Sequence, residues 1–121
     1  MKLVTKLQQE AGGGSHVFGV TFQPDGAIGS KDYFVKPAAK KGEFVGLSTY
    51  TFEDGSITAS FTGQALEKGR NKGTYVILSG TGTYEGAKGG GGFEGVGADS
   101  SPVKGVGIYD VALNVTLPPR N

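Results

Sequence analysis

The chain has no cysteine and no tryptophan, and only one histidine among its 121 residues. Without cysteine there is no disulfide framework, no thiolate nucleophile and no zinc site built on sulfur. A single histidine leaves no histidine cluster to hold a metal. Long hydrophobic runs are also missing. No stretch approaches the roughly 20 apolar residues of a membrane-spanning helix, and MKLVTKLQQE lacks the apolar centre of a secretory signal, so the expectation is no membrane span and a cytoplasmic location. Charge of one sign is absent too: twelve basic side chains face eleven acidic ones, for a formal net charge of +1. The short basic clusters at 36–41 and 68–72 have no aromatic interleaving and read as solvated loops, which argues against nucleic acid as a partner. Five prolines and no three-residue glycine period exclude collagen.

What the chain does have is glycine, 23 of them, set among alternating Val, Ile, Leu, Phe and Tyr. Its length fits one domain, 1–121, able to bury a core without staples. No window keeps a helical apolar spacing for three turns, whereas period-two alternation recurs throughout. Strands are expected at 1–9, 16–22, 31–36, 43–52, 56–66, 73–79, 90–98 and 105–117. Asp54 followed by Gly55 is the strongest short hairpin signal, QPDG at 23–26 is a second turn, and Gly80, Gly82 and Gly86 read as a glycine turn through positive φ. Eight strands in one domain are most economically closed into an antiparallel β-barrel, which hides both sheet edges and leaves an interior for side chains or one small ligand. A two-sheet sandwich satisfies the same alternation.

The stretches FVGLSTYTFEDGSITASFTG and YVILSGTGTYEGAKGGGGFEGV resemble the barrel superfamily shared by plant allene oxide cyclases and dirigent proteins. The shared order is a largely apolar strand, a Gly-Thr-Gly turn, an aromatic, an acidic or polar residue and a small pair such as Gly86 and Ala87. The likeness spans residues 43–117. It implies a single eight-stranded, calycin-type antiparallel barrel, often a homotrimer, that cradles a reactive apolar intermediate and needs no cofactor. The first third departs from the plant cyclases: it is shorter, and Gln8, Gln9 and Glu10 stand only loosely where those enzymes place a carboxylate.

Four residues are the candidate catalytic groups. His16 shares an alternation face with Phe18, Val20 and Phe22, which points it into the lumen as an acid or base near neutral pH; the plainer alternative is a strand-start histidine touching solvent. Tyr50 alternates with Phe44 and Phe52, and Tyr109 with Val111, Leu113 and Val115. A lumen tyrosine can orient a ligand carbonyl, although barrel tyrosines also serve simply as packing. Asp110 and Asn114 lie on the opposite face of the last strand. If that face is interior, the carboxylate is a base with a raised pKa; if exterior, it is solvated or at a subunit contact. Glu85 and Glu94 read as rim charges. GTGTYEG is no phosphate loop, because a strand and not a helix follows it.

The expected function is binding of a small apolar molecule, of epoxide, polyene or polyketide type, and its isomerisation or cyclisation by conformational templating. The alternatives are a non-catalytic carrier of a small hydrophobic ligand and a barrel with a filled core and no pocket. A homo-oligomer, with a trimer favoured, would cover Val106, Ile108 and Ala112 if Tyr109 and Leu113 point inward.

Overall fold

Alternating residues of this kind, with β-branched and aromatic side chains on one face, favour extended backbone whose two faces see different surroundings, and the fold is all-β and antiparallel. The computed structural model describes residues 2–9, 16–22, 28–97 and 106–119, with side chains described at 19–21, 28–97 and 107–119. Strands run β1 (Lys2–Gln9), β2 (His16–Phe22), β3 (Ile28–Pro37), β4 (Glu43–Phe52), β5 (Gly55–Ala65), β6 (Arg70–Gly82), β7 (Lys88–Val96) and β8 (Val106–Thr116). Each strand pairs antiparallel with the next, and β1 is in register with both β2 and β8, through Val4↔Phe22 and Val4↔Asp110. The sheet curls into a barrel-like shape with one face turned inward. Among the described residues no helix is long and apolar enough to cross a membrane.

The connections differ from expectation in three places. Phe52 pairs with Gly55, so Glu53 and Asp54 make the β4–β5 reversal and Gly55 opens β5. The stretch expected as a loop after β5 is a single 3-10 turn, Glu67–Gly69, and β6 starts at Arg70. The glycine turn lies further on than expected. Gly80 stays within β6, and the reversal spans 83–86 between Gly82 (φ +59) and Gly86 (φ +79). There Tyr84 N–H donates to Thr81 O at 3.0 Å, and Thr83 N–H donates to Asp54 O at 2.9 Å, which ties this turn to the neighbouring hairpin.

Register explains which side chains turn inward. On β4 the inward set is Phe44, Gly46, Ser48, Tyr50 and Phe52; on β5 it is Ile57, Ala59, Phe61 and Gly63. Between β5 and β6 the pairing jumps from Thr58↔Ser79 to Ala59↔Ile77, so Leu78 is the extra residue of a bulge and points outward, 56% exposed. A bulge of this kind bends its strand and tightens the local twist, and here it lets the long β6 follow the curl. Glycine makes room for the rings: a Cβ on Gly46 would strike the Phe61 ring, one on Gly63 the Phe44 ring and one on Gly73 the Phe93 ring. Each of those pairs is a direct cross-strand partnership, so aromatic side chains lie down over the neighbouring strand instead of standing into the interior.

The interior is divided along its length. Towards the β4–β5 hairpin, Phe52, Ile57, Ile77, Tyr84, Ala87 and Leu113 pack together, with the Phe52 and Tyr84 rings 5.9 Å apart. Each large side chain buried there contributes about 1.5–3 kcal/mol. Among the described residues that end is filled by these side chains, and the opposite end is hollow.

Candidate functional site

The hollow end holds a cavity of about 500 Å³ bordered by the ends of β3 to β6 at Lys36, Pro37, Glu43, Ala65 and Asn71. It exceeds the roughly 300 Å³ at which small-molecule sites begin. Its walls are aromatic: Tyr33, Phe44, Phe61, Tyr75, Phe93 and Tyr109. These rings meet edge to face, with centroids 5.8 Å apart for Tyr33 and Phe61 and 5.9 Å apart for Phe61 and Phe93, the geometry that ring quadrupoles favour.

At the floor sits a lysine. The inward parity of β3 is Lys31, Tyr33 and Val35, and register sets Lys31 directly opposite Tyr50. Lys31 is only 5% exposed. Its Nζ donates to the Tyr75 hydroxyl at 2.7 Å, and the Tyr75 and Tyr50 hydroxyls are 2.9 Å apart. Three phenol rings enclose the Nζ, with centroids at 4.8 Å (Tyr50), 5.1 Å (Tyr33) and 5.4 Å (Tyr75). Among the described residues no carboxylate contacts it. Among the described residues Ser48 Oγ, fully buried in the same interior, has no hydrogen-bond partner, although its proximity helps to hold the Tyr75 pKa down.

Burial without a counter-charge disfavours the ammonium form, and the Lys31 pKa falls from 10.5 to about 7. Burial acts on the phenols in the opposite direction. Tyr75 is pushed up to about 12, with the hydrogen bond from Tyr50 opposing the rise. Tyr33 rises through burial and through its charge interactions with Tyr109 and Tyr75. Tyr109 is also raised by burial, tempered by a 2.8 Å hydrogen bond from Asn71 Nδ2 to its hydroxyl. Near neutral pH the floor therefore holds an amine close to half protonated beside phenols that stay neutral. Such a pair can donate a hydrogen bond to a guest oxygen, take a proton from carbon, or attack an electrophile.

The candidates drawn from sequence separate in space. Tyr50 is fully buried at the floor, linked to Lys31 through Tyr75. Tyr109 is half-buried on the wall, facing Phe93 at 6.1 Å. Asp110 is exposed on the outer face of β8, paired with Glu94 of β7, so it does not line the cavity; the inward parity of β8 is taken by Val111 and Leu113. The side chain of His16 lies outside the described residues. The face proposed for its strand is corrected where β2 is described: Thr21 is fully buried and Val20 is 43% exposed. The physical reason lies across the sheet, since the Phe52 ring packs over Gly29 of β3 and leaves space only for small side chains beside it.

Lys31, Tyr33, Tyr75 and Asn71 were not singled out by sequence reasoning. The available signal was the parity of β3, in which a lysine alternates with Tyr33 and Val35 against Asp32, Phe34 and Lys36. Among the described residues no three His, Asp or Glu side chains group as metal ligands. Comparison with known protein families, with curated proteins and with solved structures gives no match to this chain.

Proposed function

We propose that the sheet is a closed eight-stranded barrel of the allene oxide cyclase and dirigent type, whose chamber binds a compact, mostly apolar molecule and templates its isomerisation or cyclisation without a cofactor. The register of β1 with β8 supports the closure. The observation that carries the functional reading is the Lys31–Tyr75 pair at the floor of an aromatic chamber. The walls hold a flexible guest near one conformer, which lowers the barrier by restricting its motion before reaction. At the floor, Lys31 and Tyr75 meet the guest's carbonyl or epoxide oxygen, and the neutral amine takes a proton from an adjacent carbon. Tyr50 steadies Tyr75, and Tyr109 with Asn71 shapes the wall nearer the mouth.

The test uses a phenyl-substituted β,γ-unsaturated ketone, followed by the absorbance of the conjugated enone it becomes. The protein accelerates the conversion, and Lys31→Met lowers the rate by roughly 10²-fold or more, with the fold checked by circular dichroism. If the ketone binds, measured by calorimetry, but is not converted, the chamber is a carrier. If it neither binds nor reacts, the reading fails.

A further inference from the structure

The cavity floor offers more than hydrogen bonds. Lys31 is the buried cation of the cavity, whose other lysine, Lys36, is exposed; among the described residues Lys31 has no carboxylate partner, and a phenol stands 2.7 Å from its Nζ. Resting on the reading of this chamber as a binding site, we propose that Lys31 is a carbonyl-capturing nucleophile that condenses with a bound apolar aldehyde or ketone to form an imine.

The geometry supplies each requirement of that reaction. An imine-forming lysine needs a free lone pair, and burial among Tyr33, Tyr50 and Tyr75 favours the neutral amine. With its pKa near 7, Lys31 has about a thousandfold larger neutral fraction at pH 7 than a lysine of ordinary pKa. The nitrogen lone pair attacks the carbonyl carbon, forming a C–N bond as the π electrons of the C=O move to oxygen. That oxygen takes the Tyr75 proton while the nitrogen returns one of its own to Tyr75, leaving a neutral carbinolamine. Protonation of its hydroxyl and departure of water, with loss of a nitrogen proton, leave C=N. One water is released, and no oxidant or reductant is involved. The three rings around the nitrogen also suit a protonated imine, whose positive charge meets their π faces. Walls of Phe44, Phe61 and Phe93 match a conjugated or aromatic carbonyl compound.

The experiment exposes the full chain at pH 7 to cinnamaldehyde with cyanoborohydride, which reduces an imine to a stable amine. Intact mass and peptide mapping then locate the adduct. The expected result is one adduct per chain, on Lys31, favoured over the other lysines by roughly 10²-fold or more, in line with its larger neutral fraction. Lys31→Met abolishes it while calorimetry still shows binding of 1-phenylpropene, the matching hydrocarbon. Tyr75→Phe leaves the adduct on Lys31 but slows its formation about 10²-fold, while the fall in rate below pH 7, set by protonation of Lys31, remains. Adducts spread over other lysines, or cinnamaldehyde bound without any adduct, would overturn the imine and leave the chamber reading intact. Binding of neither cinnamaldehyde nor 1-phenylpropene would overturn both.

Discussion

Lys31 is placed at a cost to the fold. Its own strand brings Tyr33 to it, β4 brings Tyr50 and β6 brings Tyr75, and among the described residues none of these offers a negative charge at neutral pH. An ammonium in such surroundings is worth less than an apolar side chain of similar volume. Lys31→Met should therefore raise stability at pH 6 by about 1–4 kcal/mol, measured by urea unfolding, while abolishing the chemistry. The sign of the pH dependence follows from the same group. Unfolded, the lysine titrates near 10.5; folded, it titrates near 7. Between these values the unfolded chain holds a proton that the native chain has released, so stability climbs with pH, by up to about 1.4 kcal/mol per unit. Above pH 10 the raised values of Tyr33, Tyr75 and Tyr109 act in reverse, because the unfolded chain loses protons that the native one keeps. Stability should peak near pH 10, and the rise from pH 7 should vanish in Lys31→Met. A flat profile in the parent protein would count against the burial of this amine.

At the scale of the strand, glycine is a spacer for backbone as well as for rings. Gly91 faces inward, and a Cβ there would meet the Ala112 carbonyl and Leu113 Cα of β8, atoms that cannot swing aside. Its neighbour Gly92 would bring a Cβ within 3.2 Å of the Gly73 carbonyl, a contact relieved by a small shift. Gly91→Ala should thus cost roughly 2 kcal/mol or more, and Gly92→Ala within about 1 kcal/mol, read from denaturant midpoints. Equal costs would mean that the tight approach is not what glycine serves. The strand pattern itself was largely legible: β4 has the expected bounds, because ten residues of clean alternation and a hairpin signal agree. The inward parity of Tyr50 and Tyr109 was legible from the alternation of β4 and β8. Lys31 was not, because a lysine in a short, charged strand reads as solvated unless the parity of Tyr33 and Val35 is trusted over its charge. The face of β2 was misjudged because Phe18, Val20 and Phe22 are the more apolar set, whereas the described buried residue is the small, polar Thr21, which faces Gly29 where the Phe52 ring packs.

Considered as a whole molecule, the outer surface is less polar than its net charge implies. Phe34 and Leu47 are cross-strand partners, 56% and 41% exposed, and Val76 on β6 is exposed as well. On β8, by contrast, Ala112 is exposed and Ile108 half-buried. The trimer expected over Val106, Ile108 and Ala112 finds a more exposed apolar row at Phe34 and Leu47. If a trimer forms there, sedimentation velocity at micromolar concentration shows it, reduced to monomer by Leu47→Glu with little change in melting temperature. A monomeric parent protein would overturn that expectation.

The plug of Phe52 and Tyr84 at one end of the interior gives the chamber a direction. On the proposed reading, a guest has to enter with its reactive group leading, because the amine lies at the floor and the packed Phe52 and Tyr84 rings lie beyond it. Selection then falls on the leading few atoms, whereas variation at the trailing end stays near the mouth, where it meets fewer walls. If the chamber binds as proposed, one scaffold of this shape would serve a homologous series of compounds that share a head and differ in their tails.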